Sequence, residues 1–388
     1  MAQKFITGIA KDLRTRPAEE LTEEKVRYFI AETRKWIGKE IELDDNDKYL
    51  AKQPVESSEI RRHAILNRDP NPLWIDREYA KTTRWSDVIA APLFIDSSLA
   101  THIGGTVPVQ LPGLLQTQHW LHAGLDCDFF NPVRPGDLII PRIFFDNIEV
   151  KTGHFVGQMF LNSTKTVFRN QRGEVLAIAK NYDMLYPVQK AQSVEYYKIP
   201  KEQAVPPLQR ADLGRWKITR RGATPRYYED IKVGDELPYI TYPFAVMDIV
   251  AQGASIRTGL EYPQERGGLG CHWHYHPVTC FQVRALPVPF DIGRFRYTWG
   301  SRLVTDWMGD NGWLQKLNLQ SRRPIFAGDT IIVKGKVTDK CVKDNRHYVM
   351  IELWYENQRK DIPCKGNADV ILPSRTGEAP ILPESPQV

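Results

Sequence analysis

The chain has 388 residues, which predicts two or three domains because a compact domain commonly holds about 100–200 residues. Its 42% hydrophobic and 26% charged residues are typical of a folded soluble protein and exclude a disordered or fibrous one. The net charge of +5 is mild and no long Lys/Arg run concentrates it, so nucleic acid is not an expected partner. No apolar stretch approaches the roughly 20 residues that span a bilayer, so no membrane partner is expected.

The five cysteines are an odd number and form no Cys-x-x-Cys pair. A disulfide framework is therefore not expected, and free thiols predict a cytoplasmic protein. The apolar patch between Lys4 and Lys11 is too short for a signal peptide.

Two segments of the chain repeat one local pattern. The sequence from 131 reads NPVRPGDLIIPRIFFDNIEVK, and the sequence from 322 reads RRPIFAGDTIIVKGKVTDKCVK. In each, a proline and a Gly-Asp turn precede an apolar, β-rich run, and Asp137 and Asp329 lie 192 residues apart. The repeat predicts one fold used twice.

In chain order, each half predicts a helix and then a set of strands. The helices are predicted from Val88 to about Thr101 and from Phe290 to Trp307, the second ending at Gly309. The strands are predicted at 137–150, 154–169 and 174–186, and at 329–338, 347–356 and 364–372. An apolar helix followed by an antiparallel meander, twice, predicts an α+β fold in which each sheet wraps a helix.

These elements divide the chain into domains. The predicted units are an N-terminal domain at 1–187, a polar, proline-dotted linker at 188–226, a C-terminal domain at 227–375 and a tail at 376–388.

The residues at 57–94, SSEIRRHAILNRDPNPLWIDREYAKTTRWSDVIAAPLF, and those at 226–238, RYYEDIKVGDELP, resemble the MaoC-like, R-specific enoyl-CoA hydratase family. The N-terminal copy is similar to a FAS1-like dehydratase domain. The resemblance implies a tandem double hot dog, an antiparallel sheet wrapped around a central helix, twice. It also implies an acyl-CoA hydratase or dehydratase that needs no cofactor, acts on a CoA thioester and forms a homodimer.

In this family an Asp and a His hold and activate water for addition to an enoyl-CoA double bond. That chemistry needs an acid/base pair, because protons move to and from carbon and water. A glycine at the start of the central helix gives its N–H to the thioester oxygen, on which negative charge develops.

The first copy matches this pattern only in part. Asp69 and Asn71 stand at family positions, but Trp74 replaces the His. Ala91-Pro92 replaces His-Gly at the helix start, and proline has no N–H to offer an oxyanion. The first copy is therefore expected to be non-catalytic and to contribute Asn71 and Trp74 to substrate binding.

The second copy departs differently. Arg257 stands where the family has Asp, and an apparent insertion follows at 258–271. His274 then matches the family His, and Gly293 matches the glycine of the oxyanion position. The resemblance thus implies His274 and Gly293 as catalytic residues and Arg257 as a substrate contact.

The sequence leaves the missing acid open. Glu265 and Glu261 of the insertion, Asp291 beside Gly293, and Asp69 from the first copy are the candidates, with Glu265 and Asp69 preferred. Asp69 also has a plain structural interpretation, since Asp-Pro-Asn-Pro forms a turn without any catalytic role.

Charged residues of the second predicted helix are the remaining substrate contacts. Asp291 and Arg294 are assigned to substrate binding. Arg294, Arg296 and Arg302 either form a solvent-facing stripe or bind a charged substrate group such as a CoA phosphate.

Two other functions stay open. His272, His274 and His276 would share one face of a strand and could serve a metal-dependent lyase, although the family needs no metal. Because both copies carry a broken motif, the chain could instead be a non-catalytic acyl-CoA-binding subunit that completes a partner's site.

Overall fold

The computed structural model describes residues 22–43, 45–97, 118–154, 156–187, 190–191, 224–255, 272–276, 280–281, 284–377 and 380–386. Most of the predicted linker, 192–223, lies outside these ranges, as does the predicted first helix beyond residue 97.

In the described residues, ten strands form one antiparallel sheet. They are β1 Glu40–Ile41, β2 Gln118–Phe129, β3 Ile140–Gly153, β4 Gly157–Arg169, β5 Val175–Pro187, β6 Ile240–Pro243, β7 Trp313–Ser321, β8 Thr330–Lys343, β9 Arg346–Glu356 and β10 Cys364–Leu372. Their order across the sheet is β1-β3-β4-β5-β2-β7-β10-β9-β8-β6. The first half of the chain therefore builds one side of the sheet, and the second half builds the other.

Short helices precede the strands of each half. They are α1 Glu23–Arg34, α2 Asp45–Leu50, α3 Ser57–Leu66, α4 Pro72–Ile75, α5 Arg77–Lys81, α6 Phe94–Ser97, α7 Val246–Ala254, α8 His272–Tyr275 and α9 Gly293–Met308. Of the helices in the described part of the chain, none is long and apolar enough to cross a membrane.

The predicted α+β architecture is confirmed. The six predicted strands correspond to β3, β4 and β5 and to β8, β9 and β10, and the second predicted helix is α9. This helix ends at Gly309, whose φ of 76° lies in the left-handed region that favours glycine at a helix end. The sequence did not predict β2 and β7, the two strands that join the halves.

The β2–β7 junction relates the two halves by an approximate twofold axis. Asp126 on β2 pairs with Asn318 on β7, and these residues are 192 positions apart. Asp137 and Asp329 of the repeated turns are separated by the same offset. An antiparallel pair centred on equivalent residues is an isologous contact, so each position of one half has a definable counterpart in the other.

Helix α9 occupies the core beneath the sheet. Its residues are buried from Arg294 to Met308. Gly300 allows close contact with the sheet, because a Cβ there would come within 2.7 Å of the Tyr355 hydroxyl, which accepts the Gly300 N–H at 2.8 Å. The predicted central helix of the C-terminal copy is therefore wrapped by its sheet, as a hot dog requires.

A buried ion pair fixes the N-terminal end of α9. Arg296 donates from Nε and Nη2 to the two oxygens of Asp291, each at 2.6 Å. The same Arg296 donates to the Arg323 carbonyl at 2.7 Å, and Asp291 accepts from the Ile325 N–H at 3.0 Å. Burial acts to lower the pKa of Arg296, but the charge and hydrogen bonds of Asp291 outweigh it and hold that pKa above its ordinary value. The pair thus ties the first turn of α9 to the loop before β8.

Replacing Asp291 should destabilise the fold strongly. Asp291→Asn leaves the Arg296 charge buried without its counter-ion, so we expect the free energy of unfolding in urea to fall by about 3–5 kcal/mol. Arg323→Ala is the control, because its pair with Asp361 is half-exposed and such pairs contribute about 0–1 kcal/mol. Equal losses in the two variants would contradict the assigned role of the buried pair.

Candidate active site

Gly293 begins α9, at the place where the two halves of the chain meet. The first N–H groups of a helix have no partner within the helix, and among the described residues no side chain caps this end. The helix dipole adds partial positive charge at the same point. This end of α9 can therefore hold an oxygen that carries developing negative charge.

A buried His–Asp pair from the first half lies against this helix end. His122 on β2 and Asp183 on β5 are opposite each other in the sheet. Nδ1 of His122 lies 3.0 Å from Oδ1 of Asp183, and the two side chains are only 3% and 1% exposed. Because a carboxylate only accepts, Nδ1 is the donor, and Nε2 has no hydrogen-bond partner among the described residues. The pair orients an imidazole with a free nitrogen, an arrangement suited to proton transfer.

The contact between His122 and Gly293 is close. A Cβ at position 293 would lie 2.7 Å from the Cβ of His122, a distance that real side chains do not adopt. Only glycine therefore lets the helix start approach the imidazole of the other half. The His122 ring also packs against Tyr297, one turn along α9, with ring centroids 5.4 Å apart.

His274 reaches the same end of α9. Its ring packs against Phe290, with centroids 4.3 Å apart, and its Nδ1 lies 3.3 Å from the Phe290 carbonyl oxygen. The Phe290 N–H donates to the His274 carbonyl at 2.9 Å. Phe290 is three residues before Gly293, so His274 packs against the segment that leads into α9.

Asp69, by contrast, lies towards the other end of α9. Its carboxylate accepts from the Trp74 indole N–H at 3.0 Å and from the Asn71 N–H at 3.2 Å. Burial raises the pKa of Asp69, and the nearby charge of Arg302 opposes that shift. Arg302 is nine residues beyond Gly293, about 14 Å along a helix that rises 1.5 Å per residue. This separation argues against the prediction that Asp69 supplies the acid for His274.

The degenerate motif of the first copy forms an apolar cleft. Its walls include Asn71, Trp74, Pro92, Met308 and Trp313. Pro92 occupies the position corresponding to the oxyanion glycine and has no N–H to donate. The Asn71 amide is used locally, as its Oδ1 accepts from the Leu73 N–H at 3.0 Å. Among the described residues that line this cleft, none supplies an imidazole, and Pro92 offers no helix-end N–H.

Asp291 and Arg294 have different environments, although both were predicted to bind substrate. Both Asp291 oxygens are engaged by Arg296, which gives Asp291 a structural role in place of the predicted one. Arg294 is buried, and neither Nη1 nor Nη2 has a hydrogen-bond partner within the described ranges. The carboxylate of Asp96 stands 3.7 Å from its Nη1, beyond hydrogen-bond distance.

The other arginines of α9 are also buried, so the solvent-facing stripe considered for them is wrong. Arg302 donates to the Tyr242 hydroxyl at 3.1 Å and to the Arg68 carbonyl, and its Nε lies 3.3 Å from an Asp306 oxygen. Arg257 and Glu265, with Glu261 and the whole 258–271 insertion, lie outside the described residues.

The three-histidine metal hypothesis depended on a strand. His272–Tyr275 is instead a helical turn, in which residues i and i+2 do not share a face. Within the described ranges, no group of three His, Cys, Asp or Glu side chains is placed to hold a metal ion.

Comparisons with known proteins agree with this fold. Residues 36–179 match the family model for a FAS1-like dehydratase domain region. A UPF0336 protein of Streptomyces avermitilis is 33% identical over 103 residues, which cover 26% of this chain and 67% of that protein. The chain belongs to the same family as this UPF0336 protein and carries a FAS1-like dehydratase region.

Two solved structures are similar in fold to both halves of the chain. A MaoC-like dehydratase superposes with a TM-score of 0.63 at 17% identity, covering 88% of this chain and 99% of that one. A MaoC domain dehydratase from Chloroflexus aurantiacus gives 0.56 at 12% identity, covering 83% and 93%. At these identities the likeness shows the fold alone, so the site must be argued from its own residues.

Sequence reasoning missed His122 and Asp183. They are far apart in the chain, and neither belongs to a motif that the family resemblance carries. One signal could have found them. Each is a polar residue at an inward-facing strand position, and the equivalent residue in the other half is apolar. That signal needs the strand register, which the sequence alone does not give.

The Gly293–His122 contact predicts a coupled substitution. Gly293→Ala should lower the free energy of unfolding by about 1–3 kcal/mol, because the added methyl overlaps the His122 Cβ. In a His122→Gly background the same substitution should cost less, since the opposing Cβ is gone. A double-mutant cycle measured by urea unfolding checks this, and additive effects would mean that the two residues are not in contact.

Proposed function

We propose that this chain is a hydro-lyase that adds water to the double bond of an enoyl-CoA, or eliminates it from the 3-hydroxyacyl-CoA, at the N-terminal end of α9. The single observation that carries the proposal is the contact between Gly293 and the His122–Asp183 pair. The proposal uses the helix-end N–H as the oxyanion donor, beside the oriented, buried imidazole of His122. Membership of a dehydratase family supports the reaction class.

Gly293 supplies the electrostatic part of the mechanism. The thioester oxygen accepts a hydrogen bond from the helix-end N–H, where the helix dipole also favours negative charge. Hydration passes through an enolate whose charge rests on that oxygen. The donor therefore acts most strongly where charge has developed, which is the condition for a rate enhancement.

Two proton transfers complete the reaction. As the water oxygen bonds to C3, water loses a proton to a base, and C2 receives a proton as the enolate returns to the thioester. We assign these steps to the imidazoles at this end of α9, His122 and His274. C2 is bonded to the carbonyl carbon held at Gly293, so His122, which touches Gly293, serves C2. His274 then serves the water.

We assign the role of the missing acid to Asp183. The second copy has no Asp at the family position, and Asp69 and Asp291 are engaged elsewhere. Asp183 comes from the first half and fixes the His122 tautomer through a 3.0 Å contact. Because the described residues already supply an oxyanion donor and two imidazoles, they favour an enzyme over a non-catalytic subunit. The predicted homodimer stays a prediction.

The test is turnover of short 2-enoyl-CoA thioesters by the purified chain. The panel contains 2-butenoyl-CoA and the CoA monothioester of trans-butenedioic acid. We expect wild type to hydrate at least one of them, and His122→Ala and His274→Ala each to lose about 10²–10⁴-fold in rate. Asp183→Asn should lose activity as well and change the pH profile of kcat/KM, because the His122 tautomer is no longer fixed. His154→Ala is the matched control, since His154 is exposed and away from the site.

An unchanged rate in either histidine variant would remove that residue from the mechanism. Turnover that appears only after a partner protein is added would overturn the proposal in favour of a substrate-binding subunit.

A further inference from the structure

The inner face of the first half's sheet is polar where a hot dog is usually apolar. Asn162, Thr164 and Thr166 alternate along β4, and Asn181 and Asp183 alternate along β5, so each set shares one face. The register places Asn162 opposite Asp183 and Thr164 opposite Asn181. His122 adds to the same face, which is the face towards α9. We call these six buried residues the polar chamber.

The second half carries apolar residues at every equivalent position. The 192-residue offset of β2 and β7 maps His122 to Leu314, and the paired strands then map the remaining positions. Asp183, Asn181, Asn162, Thr164 and Thr166 correspond to Val370, Ala368, Val349, Ile351 and Leu353. All of these counterparts are buried in the core. The fold therefore does not need polarity at these positions, and only one half has it.

Within the described residues, much of the polar chamber has no hydrogen-bond partner. The unsatisfied atoms are both amide atoms of Asn162, the hydroxyls of Thr164 and Thr166, Oδ1 of Asn181 and Nε2 of His122. Buried polar atoms without hydrogen bonds are unfavourable, so a bound group that pairs with them would stabilise this face. The donors and acceptors together fit an oxygen-bearing ligand, whereas an alkyl chain would leave all of them unpaired.

Arg294 adds a positive charge to the polar chamber from the second half. Asp96 accepts a hydrogen bond from Asn181 at 3.0 Å and lies 3.7 Å from Nη1 of Arg294, which places the guanidinium next to Asn181. The Nη1 and Nη2 groups of Arg294 make no hydrogen bond. A guanidinium presents parallel N–H donors that match the two oxygens of a carboxylate.

We infer that the acyl group of the substrate enters the polar chamber and carries a carboxylate that binds Arg294. The inference rests on the proposed function, because it places the thioester oxygen at Gly293. Arg294 follows Gly293 directly, at the same end of α9. We therefore assign the substrate a small acyl group that spans these two neighbouring residues.

Matched substrates test the acyl group. The CoA monothioester of trans-butenedioic acid and 2-butenoyl-CoA have the same number of carbons and differ in the terminal carboxylate. We expect the first to have a kcat/KM roughly 10- to 100-fold higher, and Arg294→Met to remove this ratio by lowering the rate on the acidic substrate far more than the rate on 2-butenoyl-CoA. Arg294→Lys should restore part of the ratio. A wild type that prefers 2-butenoyl-CoA, or gains activity with longer alkyl chains, would overturn the inference.

A binding measurement separates this inference from the proposed reaction. Calorimetry with butanedioyl-CoA and butanoyl-CoA, which have no double bond to hydrate, should show tighter binding of the acidic thioester by about tenfold or more. If that preference is present and is lost in Arg294→Met while no substrate turns over, the acyl assignment stands and the proposed reaction falls. If the two thioesters bind equally, the acyl assignment falls, whatever the activity.

A second variant covers the case in which Arg294→Met does not fold. Thr164→Val with Thr166→Val keeps the shape of both side chains and removes two hydroxyls that have no protein partner. This double variant should fold at least as stably as wild type and should reduce the preference for the acidic thioester severalfold. An unchanged preference would overturn the inference.

Discussion

The buried ion pair between Asp291 and Arg296 is the constraint on which the site depends. It joins the first turn of α9 to the loop before β8 and so fixes where the helix begins. With the helix start held, Gly293 meets the His122 side chain of the other half, and no larger residue fits. The guanidinium of Arg294 is directed towards Asp96 and Asn181 by the same helix start. One ion pair therefore sets the position of the oxyanion donor, the imidazole contact and the Arg294 guanidinium, whose charge faces Asp96.

The two copies of the fold have diverged in complementary ways. The second half provides the helix end and keeps an apolar inner sheet face. The first half has lost the N–H donor at its own helix start, where Pro92 stands, but its inner sheet face carries His122 and Asp183. A broken motif in each copy is thus compatible with one complete site, because the site uses the helix start of one half and the sheet face of the other. The apolar cleft at Asn71 and Trp74 is the first copy's counterpart of this site. Its described lining residues include neither a helix-end N–H donor nor a His–Asp pair.

The sequence predicted the repeat, six of the strands and α9, because Gly-Asp turns and alternating apolar residues are local signals. It also assigned His274 and Gly293 to catalysis, and that assignment stays a prediction. It could not predict the His122–Asp183 pair, since the residues are 61 positions apart and only the β2–β5 register brings them together. For a related reason, the sequence could not show that Asp69 lies towards the other end of α9. Its Asp-Pro-Asn-Pro turn forms from local chemistry alone, which carries no information about which end of α9 it contacts.

The central claim is that the thioester lies at Gly293 and the acyl group lies in the polar chamber. A crystal structure with butanedioyl-CoA tests it most directly, because that compound cannot be hydrated. The account predicts the thioester oxygen within hydrogen-bond distance of the Gly293 N–H and the acyl carboxylate on Arg294. An acyl group bound instead in the cleft at Asn71 and Trp74, with the polar chamber filled by water alone, would contradict it.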